Sequence, residues 1–163
     1  MTQRDYVLLL QESLARLDSA ERWLQRSYSL CRDIDFTEEL AEEQYDALET
    51  LTSRFARVSD MVLQKVFRNI DKLELEDGGT LLDALNRAEK RGLVESVDQF
   101  RLMRELRNEI AHEYSLDELQ ELFTRVRDYT PALFSIIGKI KAYCQRYRED
   151  DREDGGMDEE GEE

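Results

Sequence analysis

Four residues able to do chemistry stand close together near the middle of the C-terminal half: Arg107, Asn108, the only histidine, His112, and Tyr114. An imidazole with an unperturbed pKa of about 6.5 accepts or returns a proton near neutral pH. A guanidinium stabilises gathering negative charge through a fork of charge-assisted hydrogen bonds. On a helical wheel of about 100° per residue with Met103 at zero, Phe100, Leu106, Ile110, Ala111 and Tyr114 lie within about 80° of Met103 and define a core face. Arg101, Arg104, Asn108 and His112 share the flank between about 100° and 180°. Arg107 is the exception at about 40°, inside the apolar arc. A charge aimed there must be paired or must face a cleft, because it is costly to desolvate. The plain structural reading pairs Arg107 with Glu109 or an acid from another helix, leaves His112 on the surface, and makes Tyr114 a core aromatic.

Other chemistries lack their residues. Gly78-Gly79 is not followed by Gly-Lys-Ser/Thr, so there is no phosphate-binding P-loop. One histidine and two distant cysteines, Cys31 and Cys144, supply neither a zinc site nor a disulfide framework. His112-Glu113 begins like a zincin motif, but Leu116 stands where the second histidine belongs. Glu38, Glu39, Glu42 and Glu43 form acidic pairs without a Glu-x-x-His on a second helix, and read as a solvated face near a helix N-terminus. No metal and no cofactor is expected.

The elements that must position these residues are helical. The 163 residues hold 37 % charged and 40 % hydrophobic side chains with one proline and seven glycines, a composition of long amphipathic helices. Val7, Leu10, Leu14, Leu17, Leu24, Tyr28 and Cys31 form a first stripe, with Thr2 and Asp5 as its capping box. Thr37 is the expected N-cap of a second helix, whose stripe runs Leu48, Leu51, Phe55, Val58, Val62, Val66, Ile70, Leu73. Thr80 caps a short helix from Leu81 to Arg91, which Gly92 ends. Ser96 with Gln99 and Ser115 with Glu118 bracket a fourth helix over 97–114. A last segment runs from Leu116 to Tyr147, kinked or restarted at Thr130-Pro131. The expectation is an all-α, antiparallel up-and-down bundle of about five helices over residues 1–147.

Residues 148–163 carry ten acids and two bases, eight of the chain's fifteen excess negative charges, and read as a disordered, solubilising tail. An acidic body opposes broad, sequence-independent nucleic-acid binding. With no apolar run longer than Val7–Leu10 and no secretory signal, a soluble, cytoplasmic protein without a membrane partner is expected.

Arg107-Asn108-Glu109-Ile110-Ala111-His112-Glu113-Tyr114 resembles the R-x4-H-x-Y motif of the HepT-like branch of the HEPN superfamily. The resemblance extends over most of the body: a long helix pair, a motif helix and a final helix pair. It implies a HEPN-like homodimer whose two motif helices form a cleft, and a metal-independent ribonuclease toxin acting on RNA, tRNA above all. It implies a cognate minimal nucleotidyltransferase as antitoxin, which transfers AMP to the motif tyrosine. Carried to this chain, Arg107 and His112 are the catalytic pair, Asn108 and Arg104 supporting residues, and Tyr114 the modified one. Histidine would move the proton of an attacking 2′-hydroxyl, and arginine would stabilise the phosphorane-like transition state. On a straight helix Arg107 and His112 point about 140° apart, so a shared site requires two copies. A non-catalytic HEPN partner of a nucleotidyltransferase and a plain helical interaction module are the alternatives.

Overall fold

Thr2 opens the first helix, α1 (Gln3–Cys31), with the expected capping box: its hydroxyl accepts from the Asp5 amide, and the Asp5 carboxylate accepts from the Thr2 amide at 2.7 Å. The computed structural model describes residues 1–76, 78–112 and 114–154, with side chains through Arg148. It is all-helical, with no strand among the described residues: α2 (Glu42–Met61), a π turn (Val62–Val66), α3 (Phe67–Leu73), α4 (Leu81–Lys90), α5 (Val97–Glu109) and α6 (Leu116–Asp154) follow α1. The stretch from α2 to α3 is one continuous helix, so five helices build the described chain.

Contacts distant in sequence give the helix directions. Gln3 reaches the Leu73 carbonyl, Asn69 reaches Ser13, and Arg54 reaches Ser27, so α2–α3 runs antiparallel to α1. Phe100 packs on Phe67 with ring centres 5.4 Å apart while Arg107 meets Asp60, so α5 returns antiparallel to α2–α3. Tyr129 bonds the Gln99 carbonyl and Arg125 pairs with Glu109, which turns α6 against α5. Lys141 on Asp18 and Arg127 on the Ile34 carbonyl close α6 onto α1. The order is up-down-up-down, with the short α4 inserted before α5.

The second stripe is buried in full, from Leu48 to Leu73, and its Phe55 joins Phe100 and Phe123 as fully buried members of one core. Each such phenyl contributes roughly 1.5–3 kcal/mol. Arg91, Gly92 and Leu93 end α4 in a Schellman motif: the Leu93 amide bonds the Ala88 carbonyl and the Gly92 amide that of Glu89, both at 2.9 Å, with Gly92 at φ +74°.

Four expectations need correction. Thr37 caps no helix: Asp35 captures its amide at 2.9 Å and its hydroxyl at 2.6 Å, and α2 starts only at Glu42, where Gln44 bonds back to the Ala41 amide. Pro131 does not restart a helix, since α6 runs through it without a break. It is exposed, so the Arg127 carbonyl it deprives of a donor lies on the solvent side, and the Thr130 hydroxyl bonds the Val126 carbonyl at 2.7 Å. α6 also continues past residue 147 to Asp154; the remainder of the expected tail lies outside the described residues. The fourth helix stops at Glu109, five residues short of the expected 114, and this alters the site.

Candidate functional site

α5 ends where three amides in a row tighten the chain: Ile110 bonds Leu106, Ala111 bonds Asn108 and His112 bonds Glu109, the last two by shorter i→i+3 bonds. Arg107 therefore sits in the last helical turn, whereas His112 and Tyr114 stand beyond it. The wheel angles hold for Arg104, Arg107 and Asn108, and cease to apply past Ile110. Ala111, expected on the core face, is exposed.

Arg107 is paired by an acid from another helix. Its Nε and Nη2 donate to the two carboxylate oxygens of Asp60 on α2 at 2.8 and 2.9 Å, a bidentate fork. That bond to Asp60 holds the guanidinium pKa above its ordinary value, against partial desolvation. Glu109, the other candidate, is taken by Arg125 of α6. The fork occupies one edge of the guanidinium and leaves Nη1 without a hydrogen bond among the described residues. Arg107 is thus charged, oriented and half-buried at the wall of an opening.

That opening is a cleft of about 540 Å³ between α3, the Gly78-Gly79 loop, the start of α4 and α5. Arg104 and Asn108 line it beside Arg107. Opposite stand Arg68, Lys72 and Arg87, three cations that sequence reasoning did not single out. Arg87 is fixed by Asp71, which is 4 % exposed and also binds Arg91, and by the Gly78 carbonyl at 3.0 Å. The π turn brings the two ends of this wall into line. Eight residues separate Asp60 from Arg68, which on a plain α-helix turns them about 80° apart. A turn closed i→i+5 takes up one extra residue and reduces that to about 20°.

His112 and Tyr114 line a neighbouring groove of about 330 Å³, walled by Ala56 and Ser53 of α2 and by Leu119, Leu122 and Phe123 of α6. His112 is exposed. Tyr114 is half-buried, and its hydroxyl donates to the Glu109 carbonyl at 2.7 Å. Desolvation, then the Glu109 charge, pushes its pKa up, so the phenol stays protonated. Thr52, 7 % exposed, adds to the groove wall a buried hydroxyl without a partner among the described residues. Tyr114 does not open towards the Arg107 cleft, contrary to the wheel.

The two depressions are adjacent along one helix face. Ala56 borders the groove and Asp60 the cleft, four residues and about 6 Å of rise apart on α2. One chain therefore presents a held guanidinium and an exposed imidazole on the same strip, in separate concavities. Arg68 and Lys72 carried a legible signal, like charges four residues apart; Asp60 carried none, since nothing local tells which acid on α2 faces α5. No model of a known protein family matches the chain. No curated protein matches it in sequence. Among the described residues no helix is long and apolar enough to cross a membrane.

Proposed function

We propose that this chain is a HEPN-like ribonuclease toxin: a homodimer that cleaves RNA, tRNA above all, without a metal, using Arg107 and His112. The observation that carries the reading is the Asp60–Arg107 fork, which holds a guanidinium with free donors at the wall of a cation-lined cleft, one α2 turn from the His112 groove. In the reaction the 2′-hydroxyl loses its proton to an imidazole and attacks the adjacent phosphorus. The P–O5′ bond breaks, the 5′-oxygen takes a proton, and a 2′,3′-cyclic phosphate remains. Arg107 supports the negative charge on the non-bridging oxygens, with Arg104 and Asn108 beside it.

A cognate nucleotidyltransferase completes the reading as antitoxin. The Tyr114 oxygen would attack the α-phosphorus of ATP, expelling pyrophosphate, with its proton passing to a base of the transferase. A phenol is protonated near neutral pH, so its attack needs that base, and the raised pKa of this one adds to the need. Its bond to the Glu109 carbonyl must break first, so the turn after α5 would open during modification.

The test is cleavage of RNA in excess EDTA by the purified chain, with 2′,3′-cyclic ends on the products and DNA spared. Arg107→Ala and His112→Ala should each abolish cleavage at unchanged helicity, and each should relieve growth arrest on expression without the antitoxin. Full cleavage by a folded His112→Ala protein ends the proposal; RNA left intact by every form favours a non-catalytic partner of the transferase.

A further inference from the structure

Among the described residues five cations line the cleft against two carboxylates, in a chain whose formal charge is −15. Both carboxylates are occupied, Asp60 by Arg107 and Asp71 by Arg87 and Arg91. Arg68, Lys72 and Arg104 are exposed and make no ion pair among the described residues. Lys72 has a structural reason to be where it is, the negative end of the α3 dipole. Arg68 and Arg104 have none, and Arg68 with Lys72 places like charges on one helix face, an arrangement that disfavours the helix. Cations without an ion pair also stand elsewhere on the surface, Arg4, Arg22, Arg26 and Lys65 among them, but here three of them border one opening between two helices, beside the held Arg87 and Arg107, and that concentration makes a seat for anions.

The anion is an extended one. The cations come from both walls of the cleft, α3 and α5, instead of converging on one point. The N-terminus of α4, which also borders the cleft, is closed to a phosphate. Thr80 and Asp83 cap it through their own reciprocal bonds, and the Asp83 carboxylate would repel an anion. We propose that Arg68, Lys72 and Arg104 form a phosphate subsite for a single RNA strand, each holding a backbone phosphate that flanks the bond presented to Arg107. This deepens the ribonuclease reading and rests on it. The π turn is part of the device, since it swings Arg68 onto the face that already holds Asp60.

The probe is a single-stranded 2′-O-methyl RNA oligonucleotide, which lacks the attacking hydroxyl, titrated with the full chain by fluorescence anisotropy at 50 to 200 mM salt. Three phosphate contacts on a single strand give a log–log slope near −2, about a 20-fold loss of affinity over that range. Arg68→Ala/Lys72→Ala should bind more weakly at low salt and lose only about threefold, the slope of one remaining contact. Arg16→Ala/Arg32→Ala, which removes the same charge from α1 and its C-cap, should behave as wild type, and Arg104→Glu should weaken binding on its own. All these side chains are exposed, so each variant keeps its fold. An unchanged slope in the α3 variant, or an equal change in the α1 control, overturns the subsite. Displacement of the oligonucleotide by equimolar ATP or inorganic phosphate also overturns it, giving the cleft to a small free anion. The two proposals fail separately: salt-dependent binding lost in the α3 variant, but without cleavage of ordinary RNA, removes the nuclease and keeps the subsite. Cleavage with an unaltered slope does the reverse.

Discussion

Asp60→Ala separates what the fork does for the fold from what it does for the site. The two side chains are 31 % and 38 % exposed, so solvent screens the pair and its loss costs about 1 kcal/mol. For a chain of this size that is a fall in Tm of about 2–4 °C. If the chain is the proposed ribonuclease, the effect on the reaction is larger. Without Asp60 the Arg107 guanidinium swings on its flexible stem, and up to about 2 kcal/mol of rotamer freedom must be surrendered again in each transition state. That corresponds to about a 30-fold drop in kcat. KM should fall as well, because removing Asp60, one of the two carboxylates among the cleft's described residues, leaves a stronger field for an anionic substrate. The assay is steady-state cleavage of a labelled RNA in EDTA, with Tm followed by circular dichroism. Arg107→Lys supplies the control, since lysine keeps the charge but cannot form the fork. In that background Asp60→Ala should cost little more, because the two residues act as a unit. A kcat within twofold of wild type, or the same fractional loss in both backgrounds, would refute the positioning role.

Tyr114→Phe should take up no AMP from a nucleotidyltransferase with ATP, whereas the wild type gains mass in AMP steps; label found on another residue of the intact protein sinks the proposed switch. Losing the bond to the Glu109 carbonyl should cost that variant only about 0.5–1 kcal/mol, read as a small shift in the urea midpoint. Tyr129 gives a pH prediction: burial pushes its pKa up to about 12, and its hydroxyl bonds the Gln99 carbonyl at 2.6 Å. The folded state keeps this proton more tightly than the unfolded chain, whose tyrosine titrates near 10, so its stabilising effect is whole below about pH 10 and fades as pH rises through 12. Tyr129→Phe should therefore be the less stable protein at pH 7 and the more stable one above about pH 11; a constant difference between the two would show that the phenol does not govern the alkaline limb.

Local chemistry was readable from the chain and register was not. Thr2, Thr80, Ser96 and Ser115 cap the helices they were expected to cap, and Gly92 ends α4, because a cap depends only on residues three or four away. The stripe from Leu48 to Leu73 is buried for the same reason, since periodicity alone selects a face. The π turn inside that stripe left no trace, because the steps of four from Val58 through Val62 and Val66 to Ile70 fit either winding closely enough to pass. The end of α5 was missed because no glycine or proline marks it. It is set by the need to reach the Ser115 cap of α6 and by Arg125 and Tyr114 closing on Glu109 from outside the helix. Arg107 was recognised as misplaced on its own helix, which is a local fact. Its partner, 47 residues away, became visible only with the packing of α5 on α2.

The separation of Arg107 from His112 leads to a last expectation about assembly. One chain holds them in neighbouring depressions, the cleft beside Asp60 and the groove beside Ala56, on one face of α2. A two-fold axis perpendicular to that strip, passing between the depressions, exchanges their positions: the groove of one copy then lies over the cleft of the other. In the proposed homodimer an arginine from one protomer would thus meet a histidine from its partner, twice per dimer. Arg107→Ala and His112→Ala proteins, each inactive alone, should therefore complement each other when mixed and allowed to exchange subunits. Half of the dimers would be mixed, and each would carry one intact site and one without either residue, so about a quarter of wild-type activity should return. The gain should follow the rate of subunit exchange and vanish if the proteins are cross-linked before mixing. Were Arg107 and His112 to act within one chain, by the turn after α5 folding back towards the cleft, no mixed dimer would contain an intact site and the mixture would stay as inactive as its parts.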